Sequence, residues 1–237
     1  MKELVLFVIP ICVITVLLPL SSVVPGGMDQ MSNSTQKIRL PEPVYRGNVS
    51  VEEALFRRRS IRDYSNEPLR VEEVSQLLWA AQGITDSTYG LRTAPSAGAL
   101  YTIEIYIIVG EVEGLESGIY RYNPHEHELT ATSSKDVRGE LSESALGQEW
   151  VSKAPMDIVI CAVYSRVTGK YGNRGNRYVH MEAGHVAQNV YLQAVSLNLG
   201  TVVVGAFFDD KVQRVIGARE SEIPLYIMPV GKIVENQ

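Results

Sequence analysis

The sequence predicts an α+β fold in which a mixed central sheet is flanked by helices. Three observations support this class. Short β-branched runs such as 103-IEIYIIV-109 are typical of strands. Longer segments repeat apolar residues every three to four positions, as amphipathic helices do. The two kinds of segment alternate irregularly, and a hairpin over residues 118–130 interrupts any regular βαβ order.

The first 48 residues are predicted to lie outside this fold. Residues 4–24 carry no charge and are long enough to cross a bilayer as a helix. We therefore expect residues 1–27 to be a retained membrane anchor, with a cleaved signal segment as the alternative. The protein would then be membrane-anchored on an undetermined side, or secreted after cleavage. Residues 28–48 are rich in Pro, Gly, Ser and Asn and are predicted to be a linker to a domain over residues 49–237.

The first half of the domain is predicted to contain two helices, a strand and a hairpin. Ser50 and Glu53 form a capping-box pattern that opens a helix over residues 51–59. A second helix is expected over residues 71–82, ending at Gly83. The strand at 103–109 follows, and the hairpin comes next, with the histidines of 125-HEH-127 expected to be solvated in its turn.

The second half is predicted to alternate strands with helices. A strand at 157–164 leads through a glycine-rich loop to the longest helix, at about 178–198. A strand at 201–207, a short helix at 209–217 and a last strand at 225–230 complete the domain.

Composition and motifs exclude several classes of function. The formal net charge is −5, with 22 basic and 27 acidic residues, so the chain lacks the basic balance of a protein that coats nucleic acid. Two isolated cysteines provide neither a disulfide framework nor a CxxC site. His180 and His185 are five residues apart and point to different helix faces, so no metal site is predicted. The GxGxxG, P-loop and GxSxG patterns are absent from the sequence.

Four arginines lie within six residues, in 57-RRRSIR-62. A solvated basic end of the first helix, where the helix dipole favours cations, would explain them in part. Ser60 in the middle of the run and the turn that follows favour a second explanation, because guanidinium and hydroxyl groups together suit a bound phosphate. Since the nucleotide loops are absent, a phosphate-bearing cofactor is the remaining candidate.

The sequence resembles the flavin-dependent nitroreductase family, whose RRSxRxF motif appears here as 58-RRSIRDY-64. It is most similar to the SagB-type dehydrogenase branch, which includes azoline oxidases of ribosomally made peptides. The motifs that carry this resemblance are 92-RTAPSAGALY-101, 170-KYGNRGNRY-178, 183-AGHVAQNVYLQA-194 and 198-NLGTVVVGAF-207. They span about residues 50–231 in the order the family has them. The resemblance implies a nitroreductase-like homodimer that binds FMN between its subunits.

The resemblance also assigns site residues. It implies that the FMN tail is held by Arg58, Arg59, Ser60 and Arg62; that one side of the isoalloxazine is lined by Pro95, Ser96, Ala97 and Gly98; and that the other edge is lined by Val204, Gly205 and Ala206. Lys170 and Tyr171 match a catalytic pair of the azoline-oxidase branch. Either side chain could accept a proton during hydride transfer if burial or a neighbouring charge lowered its pKa, and Arg174 and Arg177 could supply that charge.

The chain departs from the family pattern at two places. Broader nitroreductases carry an asparagine where this chain has Ala99, and basic residues after the last strand, where only Lys232 is available here. The sequence leaves three functions open. The first is a dehydrogenase acting on a peptide or small molecule, and the second is an NAD(P)H-dependent nitro or quinone reductase. The third is a flavin-binding protein without turnover.

Overall fold

The computed structural model of the protein describes residues 36–234. Its helices are α1 (Val51–Arg57), α2 (Val71–Gln82), α3 (Arg138–Ser144), α4 (Glu149–Lys153), α5 (Ser165–Tyr171), α6 (Arg174–Ser196) and α7 (Asp209–Ile216). Its strands are β1 (Lys37–Arg39), β2 (Leu69–Arg70), β3 (Ile84–Asp86), β4 (Leu91–Arg92), β5 (Ile103–Val109), β6 (Val112–Glu113), β7 (Gly118–Asn123), β8 (Glu128–Ser133), β9 (Met156–Ala162), β10 (Leu199–Thr201) and β11 (Ile223–Lys232).

A seven-stranded sheet with the order β1-β8-β7-β5-β9-β11-β10 forms the centre of the fold. Each of its strand pairings is antiparallel. A parallel pairing joins β2 to β6 in a separate two-stranded sheet, and β3 pairs with β4 in another. The predicted α+β fold, with a central sheet flanked by helices, is confirmed.

Strand β5 shows why both faces of the sheet carry helices. Side chains of a strand alternate between the two faces. Ile105 and Ile107 therefore enter one apolar core together with residues of α2 and α6. Tyr106 and Ile108 enter a second core with residues of α3, α4 and α7. The strand is buried on both faces, which explains why its sequence is almost continuously apolar.

The arginine-rich run begins where α1 ends. Ser50 caps the helix by accepting a hydrogen bond from the backbone N–H of Glu53 (3.1 Å), as the capping-box pattern predicts. The helix stops at Arg57 rather than at residue 59, because Arg58 has φ −51° and ψ 124°, outside the helical region. The remaining arginines therefore lie on irregular chain beyond the helix.

Two other segments differ from the prediction. Residues 165–171, expected as a glycine-rich loop, form α5, whose last turn carries Lys170. The expected strand at 201–207 pairs regularly only up to Thr201, and beyond it Val204 forms an isolated bridge with Ile227. A β-branched run such as 201-TVVV-204 favours strand locally, but whether it pairs depends on a partner elsewhere in the chain.

The predicted linker at 28–48 is in part a strand of the domain. Lys37–Arg39 pairs with β8, and Leu40 is buried. Gln76 of α2 accepts a hydrogen bond from the backbone N–H of Val44 (2.8 Å). These contacts join residues 37–44 to parts of the chain far away in sequence, which composition alone cannot reveal. Residues 28–35 lie outside the described range.

The predicted membrane association is corrected. Within residues 36–234, no helix is both long enough and apolar enough to cross a membrane. The longest, α6, has 23 residues but carries charged and polar side chains along its length. Residues 4–24, on which the prediction was placed, lie outside the described residues. The transmembrane helix and the membrane-anchored localisation are therefore not retained.

His127 is not solvated as predicted but ties together three segments. Its ring nitrogens lie 2.7 Å from the Ser75 hydroxyl and 2.8 Å from the Tyr122 hydroxyl. Burial lowers the pKa of His127, because the charged imidazolium is poorly solvated there. The residue has φ +47°, so it closes the β7–β8 turn in a left-handed conformation.

Candidate functional site

Tyr191 of α6 connects the arginine segment, residues 58–62, to the chain after β10. Its hydroxyl lies 3.2 Å from the hydroxyl of Ser60 and accepts a hydrogen bond from the backbone N–H of Val203 (2.8 Å). The guanidinium of Arg58 stacks on the same ring, 5.2 Å from its centroid. The structure therefore joins the arginine segment to Val203, the residue directly before the sequence-predicted group 204–206.

The charges of the arginine segment lack compensation. Arg57, at the end of α1, is neutralised by Glu53 (2.8 Å). Arg58, Arg59 and Arg62, by contrast, have no carboxylate within 4.0 Å anywhere in residues 36–234. Arg62 stacks on the ring of Trp150 at 5.4 Å, and Arg59 donates to two backbone carbonyl groups. Arg58 and Ser60 both contact Tyr191, whereas Arg59 and Arg62 line separate clefts beside the same segment. Guanidinium and hydroxyl groups of this kind suit an anion such as phosphate.

Residues 204–206 offer free backbone donors beside this segment. Val204 is buried and fixed by reciprocal hydrogen bonds with Ile227 (2.8 and 3.0 Å), whereas Gly205 and Ala206 are exposed. Gln148 donates to the Ala206 carbonyl (2.9 Å) and so fixes that peptide. Among the described residues, the N–H groups of Gly205 and Ala206 have no acceptor. They can therefore donate to a ligand.

The glycine turn, residues 95–101, is held in place by hydrogen bonds to the buried carboxylate of Glu182. Glu182 of α6 is only 2% exposed and accepts hydrogen bonds from the Ser96 hydroxyl (2.6 Å) and from the backbone and hydroxyl of Thr102 (2.9 and 3.0 Å). Ser96 Oγ also accepts from the Tyr101 N–H (2.9 Å). The Ser96 side chain is therefore fully used inside the protein, and only its backbone remains for a ligand. Pro95 at the start of the turn is exposed.

Three positions of the turn are in the left-handed region, and the two that carry a Cβ, Ala99 and Tyr101, are strained there. Gly98, Ala99 and Tyr101 have φ of +62°, +53° and +47°. The left-handed region is costly for residues with a Cβ, and such residues cluster at functional sites. Tyr101 is held there by Arg166 of α5, which donates to its carbonyl oxygen (2.7 Å).

Lys170 and Tyr171 lie directly against Gly98. A Cβ atom placed on Gly98 would meet the Tyr171 hydroxyl at 2.7 Å and the Lys170 ammonium at 3.1 Å. A residue larger than glycine would displace both polar groups. The structure therefore brings the sequence-predicted catalytic pair to the sequence-predicted flavin-lining turn, although 72 positions separate Gly98 from Lys170.

The surroundings of the pair differ from the expectation in one respect. Lys170, Arg174 and Arg177 are all exposed in a single chain, so the pair is not enclosed. Tyr171 is half-buried and packs edge-on against Tyr178 (5.2 Å between centroids), which fixes the ring. The Lys170 ammonium lies 5.4 Å from the Tyr171 centroid. Both polar groups thus face the turn and solvent.

Lys232 contacts a different region from the one predicted. Its ammonium lies 3.3 Å from Glu73 of α2, a buried carboxylate that Arg70 also contacts (3.1 Å). Burial alone would raise the pKa of Glu73, but hydrogen bonds from Arg70 and the nearby charge of Lys232 hold it below its usual value. The charge of Lys232 is therefore already used in the ion pair with Glu73.

Sequence reasoning missed Tyr191 and Glu182, which lie at opposite edges of the buried face of α6. Tyr191 lies inside the motif 183-AGHVAQNVYLQA-194, but nothing in that motif marks its hydroxyl as a contact of the arginine segment. Glu182 is a charged residue beside the buried Ala183, and a carboxylate at an inward helical position is a signal that a buried partner exists. Nine residues separate the two, so they lie about 14 Å apart along the helix axis. The arginine segment and the glycine turn are thus two half-sites at separate points of α6.

The fold and these half-sites together define a class of protein. A family model described as the nitroreductase family matches residues 55–232. The chain belongs to this family of oxidoreductases.

Three relatives and one solved structure show the range of the similarity. A nitroreductase-family protein of Methanocaldococcus jannaschii, MJ1384, is 46% identical over 201 residues, covering 85% of this chain and 98% of that protein. The microcin B17-processing protein McbC of Escherichia coli is 26% identical, covering 71% of this chain and 64% of McbC. An FMN reductase [NAD(P)H] of Bacillus subtilis is 24% identical, covering 74% of this chain and 61% of the reductase. The crystal structure of a nitroreductase-family protein from Ralstonia eutropha superposes with a TM-score of 0.75 at 31% identity, covering 86% of this chain and 92% of the other.

These similarities confirm the family resemblance that the motifs indicated, and the nitroreductase-like fold. The chain spans somewhat less than two thirds of McbC and of the FMN reductase. What those proteins process or reduce is therefore a matter for a proposal on this chain.

Proposed function

We propose that the protein is an FMN-dependent oxidoreductase that transfers hydride through the flavin, as a SagB-type dehydrogenase does. Its substrate would be a peptide or a small molecule. The observation that carries the proposal is the contact of Lys170 and Tyr171 with Gly98, because it places two groups able to exchange protons at the turn expected to line the flavin. The similarity to McbC supports the peptide-related branch.

The described residues fit an FMN cofactor. Arg58, Arg59 and Arg62 have no carboxylate partner in the described part of the chain, so they can hold a phosphate group with the Ser60 hydroxyl. The free N–H groups of Gly205 and Ala206 and the backbone of Pro95, Ser96, Ala97 and Gly98 suit the edges of a flavin ring. Lys232 contributes less than the sequence suggested, because Glu73 neutralises it.

A bound FMN would supply the hydride acceptor and donor. The protein's own residues would bind and orient it and manage protons. Tyr171 Oη and Lys170 Nζ lie side by side at the glycine turn, and one of them would take the proton that a substrate N–H or C–H group releases as hydride leaves. Glu182 has no part in this transfer, because its oxygens are occupied by Ser96 and Thr102, and it positions the turn.

The proposal includes a homodimer with the cofactor between subunits. Each chain has two half-sites about 14 Å apart along α6, which two chains could complete for each other. Helix α1, beside the arginine segment, exposes Val51, Leu55 and Phe56 at 64%, 53% and 79%. A cluster of exposed apolar side chains of this kind is typical of a subunit interface. Light scattering should give twice the chain mass, and a strict monomer with stoichiometric FMN would contradict this arrangement.

An alternative is an NAD(P)H-dependent reductase of nitro compounds or quinones, which the similarity to the FMN reductase supports. Anaerobic mixing of the purified full-length protein with NADPH, or with a thiazoline-containing peptide, separates the two. Bleaching of the visible flavin absorbance by the peptide supports the dehydrogenase, and bleaching by NADPH alone supports the reductase. A protein that contains flavin but reacts with neither has only a binding role with these substrates.

Lys170→Ala and Tyr171→Phe test the roles of the pair. Each variant should retain the yellow cofactor and lose about 10²- to 10⁴-fold in the rate of flavin reduction, which is the usual contribution of a positioned acid or base. Lys135→Ala is the matched control, since its ammonium pairs with Glu140 at the surface. Wild-type reduction rates in both site variants would remove the catalytic assignment. A colourless full-length protein that stays colourless after FMN is added would exclude the flavoprotein proposal itself.

A further inference from the structure

A second cleft, which the proposed function does not use, lies beside the glycine turn. It has a volume of about 350 Å³ and opens between that turn, the β7–β8 hairpin and α5. Its walls carry three guanidinium groups, those of Arg92, Arg121 and Arg166, and the single carboxylate of Glu104. The remaining lining residues are Leu100, Tyr101, Tyr122, Asn123, Pro124 and His125.

The three arginines are fixed, but their donors are only partly used. Arg92 donates to Gln82 (2.7 Å) and stacks on the Tyr101 ring at 4.5 Å. Arg166 donates to the Tyr101 carbonyl and to Glu104, and Arg121 donates to Glu104 (2.8 Å). Each guanidinium has five N–H donors. The Nε atoms of Arg92 and Arg121 are buried and have no acceptor among the residues that the structure describes.

These two Nε atoms are closed off from solvent, so a ligand in the cleft would be bound by the terminal NH groups of the arginines. Burial also lowers the pKa of Arg92, because a charged guanidinium is poorly solvated there. Two further carboxylates lie behind the walls, and both are already hydrogen-bonded. Glu182 accepts from Ser96 and Thr102, and Glu222 accepts from Tyr106 (2.6 Å) and Arg121 (3.1 Å). The cleft thus retains donors for an anion without a large excess of positive charge.

The cleft and the candidate catalytic pair share one helix and one turn. Arg166 and Lys170 are four residues apart on α5, so their Cβ atoms are neighbours about 6 Å apart on one helix face. Arg166 contacts Tyr101 at the end of the glycine turn, and Lys170 contacts Gly98 three residues earlier in the same turn. A molecule bound by Arg166 would therefore place its adjacent atoms within reach of Lys170.

We infer that this cleft binds a carboxylate group of the substrate, held by Arg92, Arg121 and Arg166. The near balance of charge fits one carboxylate better than a pyrophosphate, and paired guanidinium N–H groups match the two oxygens of a carboxylate. The source would be a small carboxylic acid or the C-terminus of a peptide. The inference rests on the proposed function only for the placement of this subsite beside the reaction centre.

Ligand-observed NMR on the full-length protein tests the inference without turnover. The probes are N-acetylglycine, which carries one carboxylate, and its neutral analogue N-acetylglycinamide. The wild type should prefer the acid at least about tenfold, the ratio that corresponds to 1.4 kcal/mol. Arg166→Gln and Arg92→Gln should reduce this preference to about twofold or less. Arg214→Gln, an exposed arginine of α7, should leave it unchanged.

The ratio of acid to amide affinity separates charge recognition from a structural role, because a distorted cleft would lose both ligands equally. Arg92 is half-buried, so Arg92→Gln can fail to fold. Arg166 is exposed, so Arg166→Gln still tests the inference in that case. A longer probe, acetyl-Ala-Ala-Gly, distinguishes the sources: tighter binding than N-acetylglycine identifies a peptide C-terminus, and equal binding identifies a small acid.

Three results would overturn the inference. The first is equal affinity of the wild type for the acid and the amide, and the second is an unchanged preference for the acid in Arg166→Gln. The third is that NADPH displaces the acid from the wild type and that the arginine variants lose affinity for NADPH as much as for the acid. The last would assign the cleft to a pyrophosphate. Failure of the proposed function gives a different result, since a protein without flavin that still prefers the acid retains the subsite. A flavoprotein without this preference retains the function and loses the subsite.

Discussion

Replacing Gly98 by alanine tests whether the glycine turn and the Lys170–Tyr171 pair form one reaction centre. Gly98 has φ +62°, where an alanine costs about 1–2 kcal/mol. The new Cβ would lie 2.7 Å from the Tyr171 hydroxyl, and ordinary contact begins at 3.4 Å, so the hydroxyl must move by about 0.7 Å. The Lys170 ammonium ends a flexible, exposed side chain and can move away, whereas the Tyr171 ring is held against Tyr178 and must shift as a unit.

The expected rate effect follows from that displacement. A misplacement of about 1 Å can cost about 10²-fold in rate, so we expect flavin reduction to slow by about 10- to 100-fold. Gly217→Ala is a closely matched control. Gly217 has nearly the same conformation (φ +65°, ψ 29°, against φ 62°, ψ 22° for Gly98), and no atom lies within 4 Å of its Cβ position.

Urea unfolding and stopped-flow flavin reduction are measured on both variants. Both should lose about 1–2 kcal/mol of stability, since both force alanine into the left-handed region. Only Gly98→Ala should lose rate. Equal rates in the two variants would refute the placement of Lys170 and Tyr171 at the reaction centre. Unchanged stability in both would refute the left-handed backbone at these glycines.

Three further predictions concern the arginine segment and two buried titratable groups. Arg58→Ala should weaken FMN binding by about 1.5–3 kcal/mol in a fluorescence titration, as the loss of a charge-assisted hydrogen bond does. The control Arg57→Ala, which breaks only the ion pair with Glu53, should bind FMN as the wild type does. Equal FMN affinities of the two variants would remove the phosphate assignment. Asp157 is fully buried with no partner for either oxygen in the described residues, and burial raises its pKa, so its folded state favours the protonated form. Stability should fall as pH rises from about 4 through that raised pKa, and Asp157→Asn should show no such fall; parallel pH profiles would contradict this. Burial lowers the pKa of His127, so the unfolded state binds one more proton than the folded state as the pH falls from about 6.5 through the lowered pKa, and the folded protein should lose stability over that range. The variant His127→Asn should lose less stability over the same range. An equal loss in both proteins would contradict the burial argument.

Patterns that are local in sequence determined a large part of the fold. The capping box and the apolar periodicity gave the start of α1 and both ends of α2, because caps and helix periodicity act within a few residues. The β-branched run at 103–109 gave β5 with its observed bounds. The family motifs indicated the arginine segment, the glycine turn and the Lys170–Tyr171 pair as candidates before any distance was known.

Only the tertiary structure decided which of these candidates meet. Ser60 reaches Tyr191 across 131 positions, Ser96 reaches Glu182 across 86, and Lys170 lies against Gly98. The tertiary structure also shows that Lys232 forms an ion pair with Glu73. A residue's own type and its near neighbours set its local conformation, but its contacts across the fold depend on how strands pair and helices pack, to which distant segments contribute equally. That is why the sequence could name the residues of the two half-sites, while their geometry, and the arginine cleft beside them, became visible only in the folded chain.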